Sequence, residues 1–201
     1  MSQAYFKYDS LELLKFFHPL GIWIHCDGWF TPAFDDNGYV TGPDETGTFI
    51  KDLSKYLDVA CENNVLVTLV LWNGATNMKE GLQGLIFDED KLQSYIDNAL
   101  TPMVKQLSNK VALAAWEIMN EPEGSLAINS NDNPCFDTSL LQGSGAGWTG
   151  ENIPMENFLR FINRQISAIK REDPKALATI GSWCERPQTE SFGFRNFYKD
   201  E

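Results

Sequence analysis

Residues 111–124 read Val111-Ala-Leu-Ala-Ala-Trp-Glu-Ile-Met-Asn-Glu-Pro-Glu-Gly124. The apolar run from Val111 to Met119 is too short for a helix and does not alternate cleanly with polar residues. Such runs read as strands buried on both faces, as parallel strands are. The run ends in Asn120-Glu-Pro122, where the proline fixes φ and turns the chain out of the strand. Glu121 is thereby expected at the C-terminal rim of a parallel sheet. A carboxyl there, beside Trp and apolar neighbours, has the setting in which burial favours the protonated form, which suits a general acid. The tripeptide alone is equally compatible with local capping or pairing.

Three further runs share this character: Gly21-Ile-Trp-Ile-His25, Val65-Leu-Val-Thr-Leu-Val-Leu71 and Ala176-Leu-Ala-Thr-Ile180. Helical stripes lie between them. Ile50, Leu53, Leu57, Ala60 and Cys61 form one. Leu92, Ile96, Ala99, Leu100, Met103, Val104 and Leu107 form another, after the acidic start Asp88-Glu-Asp90. Phe158, Phe161, Ile162, Ile166 and Ile169 form a third, closed by Asp173-Pro174. Acidic first turns and a proline stop are helix-end signals. The order predicts repeated βαβ units, right-handed crossovers and a parallel sheet. A doubly wound sheet fits four strands as well, but His25-Cys-Asp-Gly-Trp29 is no glycine-rich phosphate loop. Residues 123–154 form an insertion rich in Gly, Asn and Ser with no periodicity. Loops this long are uncommon unless functional, and in a (β/α) barrel the loops after the strands build the active site.

Composition narrows the function. Of 201 residues, 28 are acidic and 16 basic, a net charge of −12. That balance argues against a nucleic-acid partner, which needs a cationic surface. No stretch approaches the roughly 18 consecutive apolar residues of a membrane span. The N-terminus makes a poor signal peptide, because Glu12 and Lys15 interrupt its apolar stretch. The 6 Trp and 13 Phe fill cores or stack on flat ligands such as sugars. Cys26, Cys61, Cys135 and Cys184 have no metal-type spacing and leave two disulfides, one, or none open. No His/Cys/Asp cluster has metal-ligand spacing, so neither a metal nor another cofactor is implied.

Trp116-Glu-Ile-Met-Asn-Glu-Pro-Glu-Gly124 resembles the acid/base segment of glycoside hydrolase family 5, and within it the endo-β-1,4-mannanases of molluscs and other invertebrates. Similar blocks are Trp23-Ile-His25, Asn37-Gly-Tyr-Val-Thr-Gly42, Leu71-Trp-Asn-Gly-Ala75, Lys91-Leu-Gln-Ser-Tyr-Ile-Asp97, Cys135-Phe-Asp-Thr138, Gly143-Ser-Gly-Ala-Gly-Trp148 and Gly181-Ser-Trp183, with Gly193-Phe194 downstream. The resemblance covers residues 20–201; residues 1–19 match poorly. It implies an α/β fold, an incomplete (β/α)₈ barrel holding about strands two to five. It implies retaining hydrolysis of β-1,4-mannosidic bonds by two carboxylates about 5 Å apart. Glu121 matches the acid/base, and Asn120 the residue that contacts the sugar 2-OH. Trp72 and Asn73 match the tip of the third strand, and Trp148 is placed to stack on a sugar. His25 is equally a polar rim contact or plain structure.

The family's nucleophile and its His-Tyr strand have no counterpart in this chain, and Gly21 occupies the slot of a supporting Arg. Glu185 ends the fourth run next to the strand of Glu121, a position the family does not use. Glu117 is expected to point into the barrel in a structural role. The resemblance implies β-mannan or a related β-1,4-glycan as partner, and secretion. A bridge between Cys135 and Cys184, expected on one barrel face, would fit a secreted enzyme. The alternative reading is a non-catalytic, carbohydrate-binding remnant with Trp72 and Trp148 as platforms.

Overall fold

The computed structural model describes residues 18–198. Most of the poorly matching N-terminal segment, residues 1–17, therefore lies outside the described residues. The long strands are β1 (His18–Cys26), β4 (Val65–Asn73), β5 (Leu113–Asn120) and β6 (Ala178–Gly181). They form one parallel sheet in the order β1-β4-β5-β6. The helices are α1 (Phe49–Glu62), α2 (Glu80–Phe87), α3 (Glu89–Tyr95), α4 (Thr101–Leu107) and α5 (Met155–Glu172). Sequential strands neighbour one another with helices in each crossover, as expected from the pattern, so all four C-terminal ends share one rim.

The helices cover one face of the sheet. Val67, Leu69, Leu71, Trp116 and Ile118 pack with Leu57, Leu85, Leu100, Phe158 and Phe161 in a single apolar cluster. On the other face Trp23, Val70, Glu117 and Thr179 lie side by side in register, and Trp23 is 46% exposed. Successive strand residues point to opposite faces; among the described residues this second face leaves Trp23 and Thr179 exposed at its two sides, with Val70 buried between its neighbours. In a closed barrel it would be the lumen.

Two departures from the expected elements have physical causes. The stripe over 92–107 is helical throughout, but residues Ile96–Leu100 widen into a π-turn between α3 and α4, and Thr101 N–H donates to the carbonyl of Ile96. Pro102 has no N–H to return to Asn98, so the ladder is already broken there. A small hairpin, β2 (Ala33–Phe34) and β3 (Val40–Gly42), was not anticipated. Its turn is made by Asp35, whose carboxylate accepts from Asn37 N–H (2.9 Å) and Tyr39 N–H (2.8 Å), with Gly38 at φ 79°. The Asn37-Gly38 pair was the hairpin signal.

Candidate active site

The rim is knitted by backbone bonds between strand ends. Gly74 N–H donates to Asn120 O at 2.7 Å, and Glu121 N–H to Gly181 O at 2.5 Å. The tips of β4, β5 and β6 therefore hold one another in place. Close approach requires glycine at two of these positions. A Cβ on Gly74 would sit 2.6 Å from Pro122 Cα, and one on Gly181 would collide with the Glu117 carboxylate.

Glu121 leaves the strand in the left-handed region, at φ 45° and ψ 55°. Pro122 then opens a short 3₁₀ turn, Pro122–Ser125, closed by Gly124 N–H to Glu121 O at 3.0 Å. A non-glycine residue with positive φ costs on the order of 1 kcal/mol and needs surroundings that fix it. Here the bonds to Gly181 and Gly124 do so. The side chain of Glu121 stays partly exposed at the rim. Beside it Asn120 Nδ2 donates to Asn73 Oδ1 (3.1 Å), which also accepts from Ala75 N–H (3.1 Å). Asn73, Asn120 and Glu121 are thus brought together on adjacent strand ends.

Lower on β5, burial first and then the Glu121 charge push the Glu117 carboxyl above its ordinary value. The two carboxyls sense each other on one strand. Glu185 is exposed and precedes a 3₁₀ turn, Arg186–Gln188, in the loop after β6.

Trp72, expected at a strand tip, is placed in the core, and so is His25, for which a rim contact and plain structure were equally open. Trp72 is fully buried; its Nε1–H donates to Gln165 Oε1 at 2.9 Å, and its ring packs on Tyr95 and Phe161. His25 is 2% exposed and lies 4.7 Å from the Trp72 ring centre. Thr31 donates its hydroxyl proton to Ile24 O, so His25 Nδ1 donates to Thr31 Oγ1 at 2.9 Å and Nε2 carries the lone pair. Nε2 has no partner, and burial lowers the ring's pKa to about 3. Neither side chain reaches a sugar at the rim. The pairing of β1 with β4 slips between Trp23 and Cys26, which breaks the alternation at His25, and strand periodicity could not show that.

Trp148 is at the surface, as expected for a stacking residue. It leans on Gly124, where a Cβ would lie 2.6 Å from the indole, and meets Trp183 edge to face, ring centres 5.2 Å apart. Glu123 was missed by sequence reasoning. It is 1% exposed and accepts from Ser182 Oγ (2.6 Å), Tyr198 Oη (2.9 Å) and Trp183 N–H (3.0 Å). Its only sequence signal was a second carboxyl across Pro122, indistinguishable from a solvated one. The long insertion is closed at its base by Ala127 N–H to Ile153 O (2.8 Å), and Glu151 ties it to Met78 N–H and Gln83.

Cys184 is a thiol, and Cys135 Sγ accepts from Arg195 at 3.5 Å; the bridge between the two cysteines is not formed. A cleft of about 560 Å³ lies elsewhere, between α5, β6 and residues 188–198. Its lining omits Glu121, Asn120 and Trp148, so it is an edge groove rather than part of the rim. Among the described residues no three His, Cys, Asp or Glu side chains converge as metal ligands, and no helix is long and apolar enough to cross a membrane.

No family model matches the sequence. Individual proteins do. A mannan endo-1,4-beta-mannosidase of Cryptopygus antarcticus is 53% identical over 179 residues, 89% of this chain and 47% of that protein. One from Mytilus edulis is 48% identical over 182 residues, covering 49% of that protein. The crystal structure of an endo-1,4-beta-mannanase from Eisenia fetida superposes with a TM-score of 0.89 at 54% identity, covering 96% of this chain and 55% of that one. Nearly the whole chain is thus similar to part of the invertebrate endo-1,4-β-mannanases. It spans about half the length of the curated relatives it matches. The four-stranded sheet is accordingly an incomplete (β/α)₈ barrel, the fold that the resemblance of the Asn120-Glu-Pro122 segment and its companion blocks implied.

Proposed function

We propose that this chain supplies the acid/base half of a retaining endo-β-1,4-mannanase site, acting on β-mannan outside the cell. The observation that carries the reading is the placement of Glu121. It stands partly exposed at the end of β5, fixed in an unusual backbone conformation, with Asn120 and Asn73 at its side. In the retaining mechanism an acid protonates the leaving glycosidic oxygen while a nucleophile takes the sugar; the acid then acts as base toward water. Glu121 has the exposure and rim position for the proton-transfer role. In this reading Asn120 holds the sugar 2-OH, supported by its bond to Asn73, which orients it. The nucleophile comes from outside these 201 residues, since the family carries it on a strand this chain does not match. The sheet face that no helix covers and the half-length match support that division.

Release of reducing sugar from β-mannan tests the reading. The 201-residue chain alone is expected to give no turnover above background, because losing a nucleophile removes the covalent step that splits the barrier. A chimera given the first strand and strands six to eight of the Eisenia fetida enzyme is expected to turn over. In it, Glu121→Gln abolishes activity on mannan but spares much of the first step on substrates whose leaving group needs no proton. Robust turnover by the 201 residues that vanishes in Glu185→Gln would overturn the assignment and make Glu185 the second carboxylate.

A further inference from the structure

Glu123 is a buried carboxylate that the acid/base reading does not use. Burying a carboxylate is costly unless donors fill its lone pairs. Here the hydroxyls of Ser182 and Tyr198 and the N–H of Trp183 do so. Those donors come from the loop after β6 and from the last described residue, so Glu123 clamps the turn after β5 to both.

What the clamp holds at the surface is Trp183. Its ring is 50% exposed and meets Trp148, 42% exposed, at 61°. Both indole N–H groups are engaged by backbone carbonyls, Trp183 by Ser144 (3.3 Å) and Trp148 by Ala75 (3.5 Å). The surface left to solvent is therefore ring carbon. The pair is also close to the acid, because Trp148 rests on Gly124 and Gly124 N–H is bonded to Glu121 O. A rigid carbon surface beside a polar acid matches a pyranose ring, which offers a C–H face and carries its hydroxyls at the edge.

We propose that Glu123 is a positioning residue that locks Trp183 against Trp148, and that the two rings form a platform for a pyranose ring of a β-1,4-linked mannan chain. The ligand class rests on the mannanase reading above; the platform does not need turnover.

The test titrates the 201-residue chain with mannohexaose, read by tryptophan fluorescence and calorimetry, alongside the circular-dichroism exciton signal of the indole pair. Saturable binding is expected. Trp183→Ala and Trp148→Ala each remove the exciton signal and weaken binding about tenfold, the loss typical of a Trp anchor. Trp29→Ala, at an exposed ring on the loop after β1, changes neither. Glu123→Gln weakens both signal and affinity well below its melting temperature. Ser182→Ala, which removes one donor, reads the same way should Glu123→Gln not fold. No saturable binding by the wild-type chain, or equal affinity in Trp183→Ala and Trp148→Ala, overturns the platform. A lowered melting temperature with signal and affinity intact overturns the positioning role. Binding without cleavage supports the platform whatever becomes of the hydrolase reading, whereas cleavage with no dependence on Trp183 removes the platform alone.

Discussion

At residue scale, one glycine records how tightly the rim is built. Gly181 lies against the Glu117 carboxylate with no room for a Cβ. Gly181→Ala is expected to destabilise the fold by about 1–3 kcal/mol, the usual cost of overpacking, seen as a lower midpoint in urea. An unchanged midpoint would mean that Glu117 swings aside freely. His25 makes stability depend on pH. Its folded pKa of about 3 lies below the ordinary 6.5, so below pH 6.5 the unfolded chain takes up a proton that the folded chain refuses. Stability is full above about 6.5, falls as pH drops and levels out near 3, with a slope of at most about 1.4 kcal/mol per pH unit. The clean window is pH 6.5 to 5, above the carboxylate range. His25→Gln should flatten the fall in melting temperature there, and an equal slope in both proteins would refute the assignment.

At the scale of elements, α5 is fixed to β4 by one buried polar bond. Gln165 accepts from Trp72 Nε1 at 2.9 Å, and its amide donates to Phe161 O at 3.0 Å. Gln165→Leu leaves the indole N–H unpaired in the core, at a cost of about 1–3 kcal/mol; chemical denaturation measures it. A loss under about half a kcal/mol would show that the indole finds another partner. The helical stripes were legible because apolar residues recur at three and four. The break at Ile96–Leu100 was not, because the same residues stay buried on either side of a π-turn. The hydrophobic pattern of Leu92, Ile96 and Leu100 registers the face, not the hydrogen-bond ladder.

At the scale of the whole molecule, the described residues leave the sheet two edges, β1 and β6, and a face that no helix covers. Edges and exposed apolar faces invite pairing with another chain. Leu20 and Trp23 on β1 are 45% and 46% exposed. Against this stands a net charge of −12, whose repulsion is screened by salt. The isolated 201-residue chain is therefore expected to self-associate, and more so as salt rises. Sedimentation velocity over a range of concentration and salt measures this. A single monomeric species throughout, with a sharp cooperative melt, would count against an open face.

The succession of strands and helices, the parallel sheet and the position of Glu121 at its rim were legible in the sequence. Those follow from local facts: runs of apolar residues, helical periodicity between them, and a proline that ends a strand. The sequence also carried the resemblance to the mannanases, because many short blocks match in order. What only the tertiary structure decided is which polar and aromatic residues face out. Trp72 and His25 lie one residue from the ends of their strands, close to the rim, yet both are packed in the core against Tyr95. Glu123 lies two residues from Glu121, yet it is buried because Ser182, Trp183 and Tyr198 converge on it from far along the chain. Burial is a property of neighbours distant in sequence, and no local pattern encodes them.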